Sequence, residues 1–464
     1  MRSRTRRFLH QSAMAAAIAA VSAPASAAFF AIAENNASGI GNANAGGAAI
    51  SEDASTVWYN PAGMTRFTRP EFVFAGHYIK PSFTPSVNSA STINFGLGNL
   101  PIGGGAGSDP GEAAVVPNIY YTHPVTSNFS LGAGINAPFG LATEYDSTWA
   151  GRYHALRSDI KTVNVNLAGA YKFNETLSAG AGINYQKLDA ELTQAIDFAT
   201  LCTVVGAGAF SGACGIGAGF RADTNPNDGN AKVKADSTAW GYNVGLLLQP
   251  DKNLRWGLAY RSKMVHNLSG TFDPTVPANA AGAASAVGIV NSGVKADITL
   301  PATWSLSAYG EASSELALMV DLTRTQWSAL RELRIDFDST QADSVVTLNL
   351  KDTYRVSFGA TYKVNGSWVL RGGLAVDQSP VTNPADRTPR LPDADRTWYA
   401  VGVGYHPMQA LNFDFGYVYI KLNDSNVNKT AAPTPANENF LRGNLNVNYS
   451  GSVQVLSAQA RWAF

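Results

Sequence analysis

The stretch Thr162-Val163-Asn164-Val165-Asn166-Leu167-Ala168-Gly169-Ala170-Tyr171-Lys172-Phe173 alternates apolar and polar or small residues. After Asn174-Glu175-Thr176 the alternation resumes in Leu177-Ser178-Ala179-Gly180-Ala181-Gly182-Ile183-Asn184-Tyr185-Gln186. A period of two held over about ten residues marks a strand with one apolar and one mixed face. Two such runs joined by a short turn form a hairpin. The apolar faces end in Tyr171, Phe173 and Tyr185. Aromatic residues there match the girdles at membrane interfaces better than they match a soluble core.

The same grammar recurs in Tyr354, Val356, Phe358, Ala360 and Tyr362 against Arg355, Ser357, Gly359, Thr361 and Lys363, and in Leu411, Phe413, Phe415, Tyr417 and Tyr419 against Asn412, Asp414 and Gly416. Charge stays on one face. A lipid-facing charge at mid-bilayer costs about 2–4 kcal/mol, whereas one facing a polar lumen costs little, so a transmembrane barrel requires this one-sidedness. Strands are expected near 71–79, 115–121, 129–136, 161–173, 177–188, 238–248, 254–267, 294–309, 316–327, 352–364, 368–377, 396–405, 411–422 and 453–464. Their number, fourteen, is even, and short turns alternate with long loops, as barrel topology demands. The last run, Leu456, Ala458, Ala460, Trp462 and Phe464, closes its apolar face with a terminal Phe. That ending resembles the C-terminal signal of outer-membrane barrels.

Composition agrees. The 464 residues carry 34 basic and 34 acidic side chains and are 15% charged, which excludes a basic nucleic-acid binder and a disordered acidic chain. Forty-four Gly beside 21 Phe, 18 Tyr and 9 Trp suit closely approaching strands and interfacial side chains. No stretch after the N-terminus reaches the roughly 20 apolar residues of a membrane helix.

Arg2, Arg4, Arg6 and Arg7, the apolar run 13–21 and Ala25-Ser26-Ala27 read as a cleaved signal peptide, residues 1–27. Residues 69–464 form the expected barrel. The segment 28–68 between them does not alternate and is rich in small residues, as in Ser38-Gly39-Ile40-Gly41 and Gly46-Gly47-Ala48-Ala49-Ile50. It cannot span lipid, and within the lumen it would form a hatch that plugs the pore.

Here a family resemblance becomes specific. Ser38-Gly39-Ile40-Gly41, Glu52-Asp53-Ala54, Asn60-Pro61-Ala62 and Arg69-Pro70 look like the start of the FadL/TodX family of outer-membrane transporters for long-chain fatty acids and hydrophobic compounds. Val116-Pro117-Asn118, Gly140-Leu141-Ala142-Thr143-Glu144-Tyr145, Tyr260-Arg261-Ser262, Lys351-Asp352-Thr353-Tyr354-Arg355 and Asp377-Gln378-Ser379-Pro380-Val381 continue it in order. The resemblance implies a fourteen-stranded, all-β antiparallel transmembrane barrel with an N-terminal hatch. It also implies external capture, an internal binding site and lateral exit at a kinked third strand beside Asn60, Pro61 and Ala62.

The third strand itself gives a reason for a gap. It runs into Ala137-Pro138-Phe139-Gly140, where Pro has no N–H for the ladder and Gly admits unusual angles. Phe29 and Phe30, at the start of the hatch, are expected to reach the internal site. The loop 189–235 is unusually apolar, with Phe198, Leu201, Phe210 and Phe220, and reads as a capture groove. Its Cys202 and Cys214 are expected to form a disulfide in an oxidising compartment. The resemblance places Gln194 and Val346 where fatty-acid carriers have basic residues, with Arg331, Arg334 and Lys351 as nearby substitutes. Fatty acid and neutral hydrocarbon both stay open as substrates.

The six histidines form no His-x-x-x-His pair, and no Walker loop or G-x-S-x-G is present. The expectation is a non-enzyme with no cofactor and no metal. It is a monomer in the outer membrane of a Gram-negative bacterium that meets lipid and lipopolysaccharide, relies on the barrel-assembly machinery, and does not bind nucleic acid. A general porin for small solutes is the rival.

Overall fold

In the computed structural model, residues 29–93, 99–205, 227–434 and 436–464 are described. Phe210, Cys214 and Phe220 of the expected groove lie outside them, as does the expected signal peptide. The chain forms one closed, antiparallel barrel of fourteen strands. These are β1 Glu71–Ser91, β2 Ala114–Pro124, β3 Phe129–Asn136 continued by Gly140–Glu144, β4 Arg157–Lys172, β5 Leu177–Asp197, β6 Asp228–Asp251 and β7 Leu254–Arg261 continued by Met264–Thr275. Then follow β8 Ser292–Leu300 with Thr303–Glu311, β9 Leu316–Thr325 with Glu332–Phe337, β10 Thr353–Lys363, β11 Trp368–Asp377, β12 Arg396–Met408, β13 Leu411–Leu422 and β14 Asn444–Ala463. Each strand pairs with its sequence neighbour, and β1 closes the ring on β14 from Glu71↔Ala463 to Ser91↔Asn444. Closing the ring pairs the first strand with the last, so the sheet has no unpaired terminal strand, which satisfies the backbone where water is absent.

Alternation assigns the faces as expected. Val163, Val165, Leu167, Tyr171, Phe173, Ile183 and Tyr185 are exposed on the outside, while Asn164, Asn166, Asn184 and Gln186 are buried inside. Several strands run further than their apolar pattern. β5 and β6 stay paired as far as Asp197↔Asp228, so residues 189–197 and 228–235 of the span are ladder. Beyond the apolar band their exposed face carries ions, Glu191 lying 3.3 Å from Lys232 and 3.1 Å from Lys234. Hydrophobic periodicity ends there although the pairing does not.

Inside the barrel lie the short helices α1 Ala37–Gly41, α2 Gly47–Ile50 and α3 Thr56–Tyr59, followed by the 3-10 turn Pro61–Arg66. Acidic and amide groups pin them to the wall. Arg371 of β11 bridges Asp414, at 2.6 Å, and Glu52. Asp53 accepts from Ser38 Oγ at 2.9 Å and from Gln459 Nε2 at 2.8 Å, and Glu71 Oε1 accepts the Ala54 N–H at 2.7 Å. The Glu52-Asp53-Ala54 run therefore fastens the hatch to β1, β11, β13 and β14.

Two wall glycines explain how close the hatch lies. A Cβ on Gly245 would collide with Asn60 Oδ1, and one on Gly257 with the Ala48 carbonyl. Between the hatch helices there is a cavity of only about 30 Å3, room for a water but not for a solute stream. Gly245→Val should therefore unseat the hatch while the barrel still inserts. Steady ion conductance in planar bilayers, against a closed wild type, is the expected readout, and an unchanged closed state would count against this seating.

Candidate functional site

The barrel wall is interrupted at β3. Pairing of β2 with β3 stops at Ile119↔Ile135 and returns only at the single bridge Gly111↔Thr143, although β2 stays paired with β1 through Ile79↔Ala114. Against β4 the register slips by one residue between Asn136↔Asn164 and Gly140↔Lys161, a bulge formed by Ala137, Pro138 and Phe139. The Phe139 carbonyl accepts from the Thr162 N–H at 3.2 Å and its N–H donates to Thr162 Oγ1 at 3.0 Å, so the β4 side stays joined. Only the edge toward β2 is left open.

The start of the hatch covers that edge from within. Ile32 N–H donates to the Pro138 carbonyl at 2.8 Å, Gly140 N–H donates to the Phe30 carbonyl at 3.0 Å, and Ala31 bridges Phe139 antiparallel. Side chains of both strands then fix the next turn of chain. Asn118 Nδ2 donates to the Glu34 carbonyl at 2.9 Å, Asn136 Nδ2 to Asn35 Oδ1 at 2.7 Å, and Tyr120 OH to Asn35 Oδ1 at 3.3 Å. Glu34 is itself buried, and desolvation raises its carboxyl pKa against the pull of Arg355 and Arg396.

Phe29 and Phe30 fill an apolar chamber above the hatch, closed around them by a packed cluster of buried side chains. Trp327, on a 3-10 turn that interrupts β9, stands 5.4 Å from the Phe29 ring centre and 5.2 Å from that of Phe30, with Phe139 5.7 Å from Phe30. Leu188, Leu268, Ile298, Leu300 and Leu350 complete the buried cluster. Lumen chemistry is thus layered, with an amide and ion network around the hatch and hydrocarbon above it.

The expected site residues separate into three places. Ala137, Pro138, Phe139 and Gly140 form the wall gap, joined by Phe29 and Phe30. Asn60, Pro61 and Ala62 lie instead against β5 and β6. Asn60 Nδ2 donates to the Ala48 carbonyl at 2.7 Å and the Leu246 carbonyl at 2.9 Å, while its Oδ1 accepts the Ala62 N–H at 3.1 Å. The Asn60 amide is thus held by backbone groups of the hatch and of β6, with Gly245 leaving it room. Phe198 and Leu201, on α4 Phe198–Val205, are buried against Phe272, Phe337 and Ile335 and do not form an exposed patch. Cys202 is buried on the same helix and is not a free thiol. Sequence reading missed the lining of the chamber, because Leu188, Leu300 and Trp327 lie far apart in the chain and only the barrel brings them together.

A closed β-barrel with an internal hatch, a broken third strand and an apolar chamber defines an outer-membrane transport barrel. The chain belongs to the outer membrane protein transport protein family (OMPP1/FadL/TodX), which it matches over residues 18–464. It is 32% identical to the long-chain fatty acid transport protein of Escherichia coli K12, covering 90% of this chain and 93% of that one. It is also 32% identical to outer membrane protein P1 of Haemophilus influenzae Rd, covering 95% and 96%. Among solved structures, a Pseudomonas aeruginosa FadL homologue superposes with a TM-score of 0.82 at 24% identity, covering 94% of this chain and all of the other. The Pseudomonas putida toluene transporter TodX has the same fold at a TM-score of 0.66 and 14% identity, covering 94% of this chain and 100% of that one.

Phe30→Ala should loosen the strip without opening the barrel. Loss of a packed Phe costs roughly 3–5 kcal/mol where the site cannot collapse. The Gly140 amide, whose acceptor is the Phe30 carbonyl, should then exchange hydrogen far faster, with the melting temperature of the barrel unchanged. Equal protection in variant and wild type would mean that the ring does not hold the strip.

Proposed function

We propose that the protein carries hydrophobic molecules passively across the outer membrane. Cargo is captured on the external side, held in the chamber now filled by Phe29 and Phe30, and released sideways through the β2–β3 gap into the bilayer. The bridge Ala31↔Phe139 carries this reading, since it ties the chamber to the gap through adjacent residues. A ligand that takes the place of the two rings pulls on the strand segment covering the opening. Burial supplies the driving force for capture, at about 25 cal/mol per Å2 of apolar surface. The protein acts as a monomer, reaches the membrane by means of a cleaved N-terminal signal and the barrel-assembly machinery, and has no catalytic task. The rival, a water-filled porin, fits poorly with a seated hatch and a hydrocarbon layer above it.

The family relatives include proteins named for long-chain fatty acids and structures named for toluene, so both kinds of cargo are candidates. Replacing Ala137-Pro138-Phe139-Gly140 by residues that restore pairing with β2 is expected to abolish uptake of oleate and of toluene by cells. The variant barrel should still reach the outer membrane and keep its heat-dependent shift on gels. Normal uptake through the repaired wall would refute lateral exit.

A further inference from the structure

A row of charged side chains in the lumen belongs neither to the clamp on the hatch nor to the chamber. Arg355 on β10, Asp377 at the end of β11 and Arg396 at the start of β12 are cross-strand partners, Arg355↔Asp377 and Asp377↔Arg396. Arg396 is paired with Asp393, which also accepts from Ser379 Oγ at 2.6 Å. Arg355 is different. Among the described residues its guanidinium has neither a hydrogen-bond acceptor nor an ion pair, and the Trp398 ring centre lies 5.8 Å from it. Asp377 is buried, makes no ion pair and keeps Oδ2 unbonded. Thr353 Oγ1 and Ser357 Oγ, on the same strand as Arg355, are buried and unbonded as well. Buried polar atoms are nearly always bonded, so a cluster left open has room for a polar guest, whether water or a side chain.

The strip over the gap carries one more charge. Glu34 is buried, and among the described residues its carboxyl has no ion pair either. Its carbonyl is held on β2 by Asn118, while its carboxyl lies in the field of two cations, Arg355 and Arg396. Buried charges kept apart are costly, and attraction repays that cost only when the groups meet and share hydrogen bonds. The planar fork of a guanidinium can hold Asp377 on one edge and a second carboxylate on another. We propose that Arg355 receives the Glu34 carboxylate when cargo lifts residues 29–35 from the gap. The strip then has two held positions, one on β3 through backbone hydrogen bonds and one on the wall of β10 to β12 through an ion pair. An element with two discrete seats opens fully instead of fraying. This rests on cargo displacing the strip, as proposed above. Arg355 acts on the strip and not on the cargo, so it is a positioning residue, and its role is the same for an uncharged guest.

The test is hydrogen exchange, read by mass spectrometry on the purified barrel in detergent, with hexadecane as the uncharged guest and its binding measured separately. In the wild type, saturating hexadecane should raise exchange of the Ile32 and Gly140 amides about tenfold or more, since both lose their carbonyl partners. Glu34→Gln and Arg355→Gln should each cut that rise several-fold, with protection in the absence of guest unchanged. Glu34→Asp and Arg355→Lys should keep part of it. The double variant Glu34→Gln with Arg355→Gln should lose no more than either single one, the mark of two groups that act as a pair. A full rise in Glu34→Gln, or losses that add in the double variant, would overturn the pairing. If Arg355→Gln does not fold, Glu34→Gln against Glu34→Asp decides, because both changes leave the wall intact, and equal responses would overturn the assignment. Hexadecane that binds without raising exchange in the wild type would overturn displacement of the strip, and the second seat with it. No binding of hexadecane would overturn the chamber reading as well.

Discussion

Backbone groups that face hydrocarbon must find their hydrogen bonds within the protein, and the whole structure is arranged around that requirement. Fourteen strands close on themselves because a free edge in lipid leaves a row of unpaired N–H and C=O groups. Where the β2–β3 ladder lapses, between Ile119↔Ile135 and Gly111↔Thr143, the hatch supplies a substitute. Phe30 and Ile32 meet the polar groups of Pro138 and Gly140 that β2 leaves free. The gap is therefore a place where one pairing partner has been exchanged for another that is not part of the wall.

Layering of the lumen follows from the same geometry. Inward positions in the hatch layer carry Arg371, which pairs with Glu52 and Asp414, and Gln459, which accepts the Ala37 N–H, while Asn164, Asn166 and Asn184 join Asn136 and Asn243 in an amide row along the wall. Glycines such as Gly245 and Gly257 let that backbone lie against the wall. Above the hatch the inward positions become Ile160, Leu188, Leu268 and Leu300. Polar side chains serve where the hatch is fastened, and apolar ones where Phe29 and Phe30 are packed.

Much of the barrel was legible because lipid writes a strict pattern on one face of each strand. Val163 to Phe173 and Leu411 to Tyr419 could be assigned by alternation alone. Legibility stops where lipid stops. Asn88, Asn426, Asn446 and Asn448 occupy the extended ladders of β1 and β14 and the adjoining Ser425–Lys429 strand, and hydrogen bond to one another in water-facing rows with no apolar signal. Pro138 announced the kink, since the missing N–H is a property of the residue. The partner that fills the kink, over a hundred positions earlier, left no local trace. Asn60-Pro61-Ala62 was recognisable as a motif, but what it touches depends on glycines that only the folded barrel brings to it.

The magnitudes bear on which cargo could work such a gate. Two Phe rings buried at about 1.5–3 kcal/mol each and two backbone hydrogen bonds at about 0.5–1.5 kcal/mol each hold the strip with roughly 4–9 kcal/mol. A guest must replace most of that to move it. Ten buried methylenes of an alkyl chain bring about 8 kcal/mol at about 0.8 each, close to balance with the strip. Near balance is what a gate needs, because a guest that won by far would never leave and one that lost by far would never open the wall. A single aromatic ring offsets only one of the two Phe rings, so a small hydrocarbon needs either a second copy of itself or a strip already partly released. On the proposed route a long tail would do both tasks in one molecule, since a length that displaced the two rings would also reach the residues beside the gap.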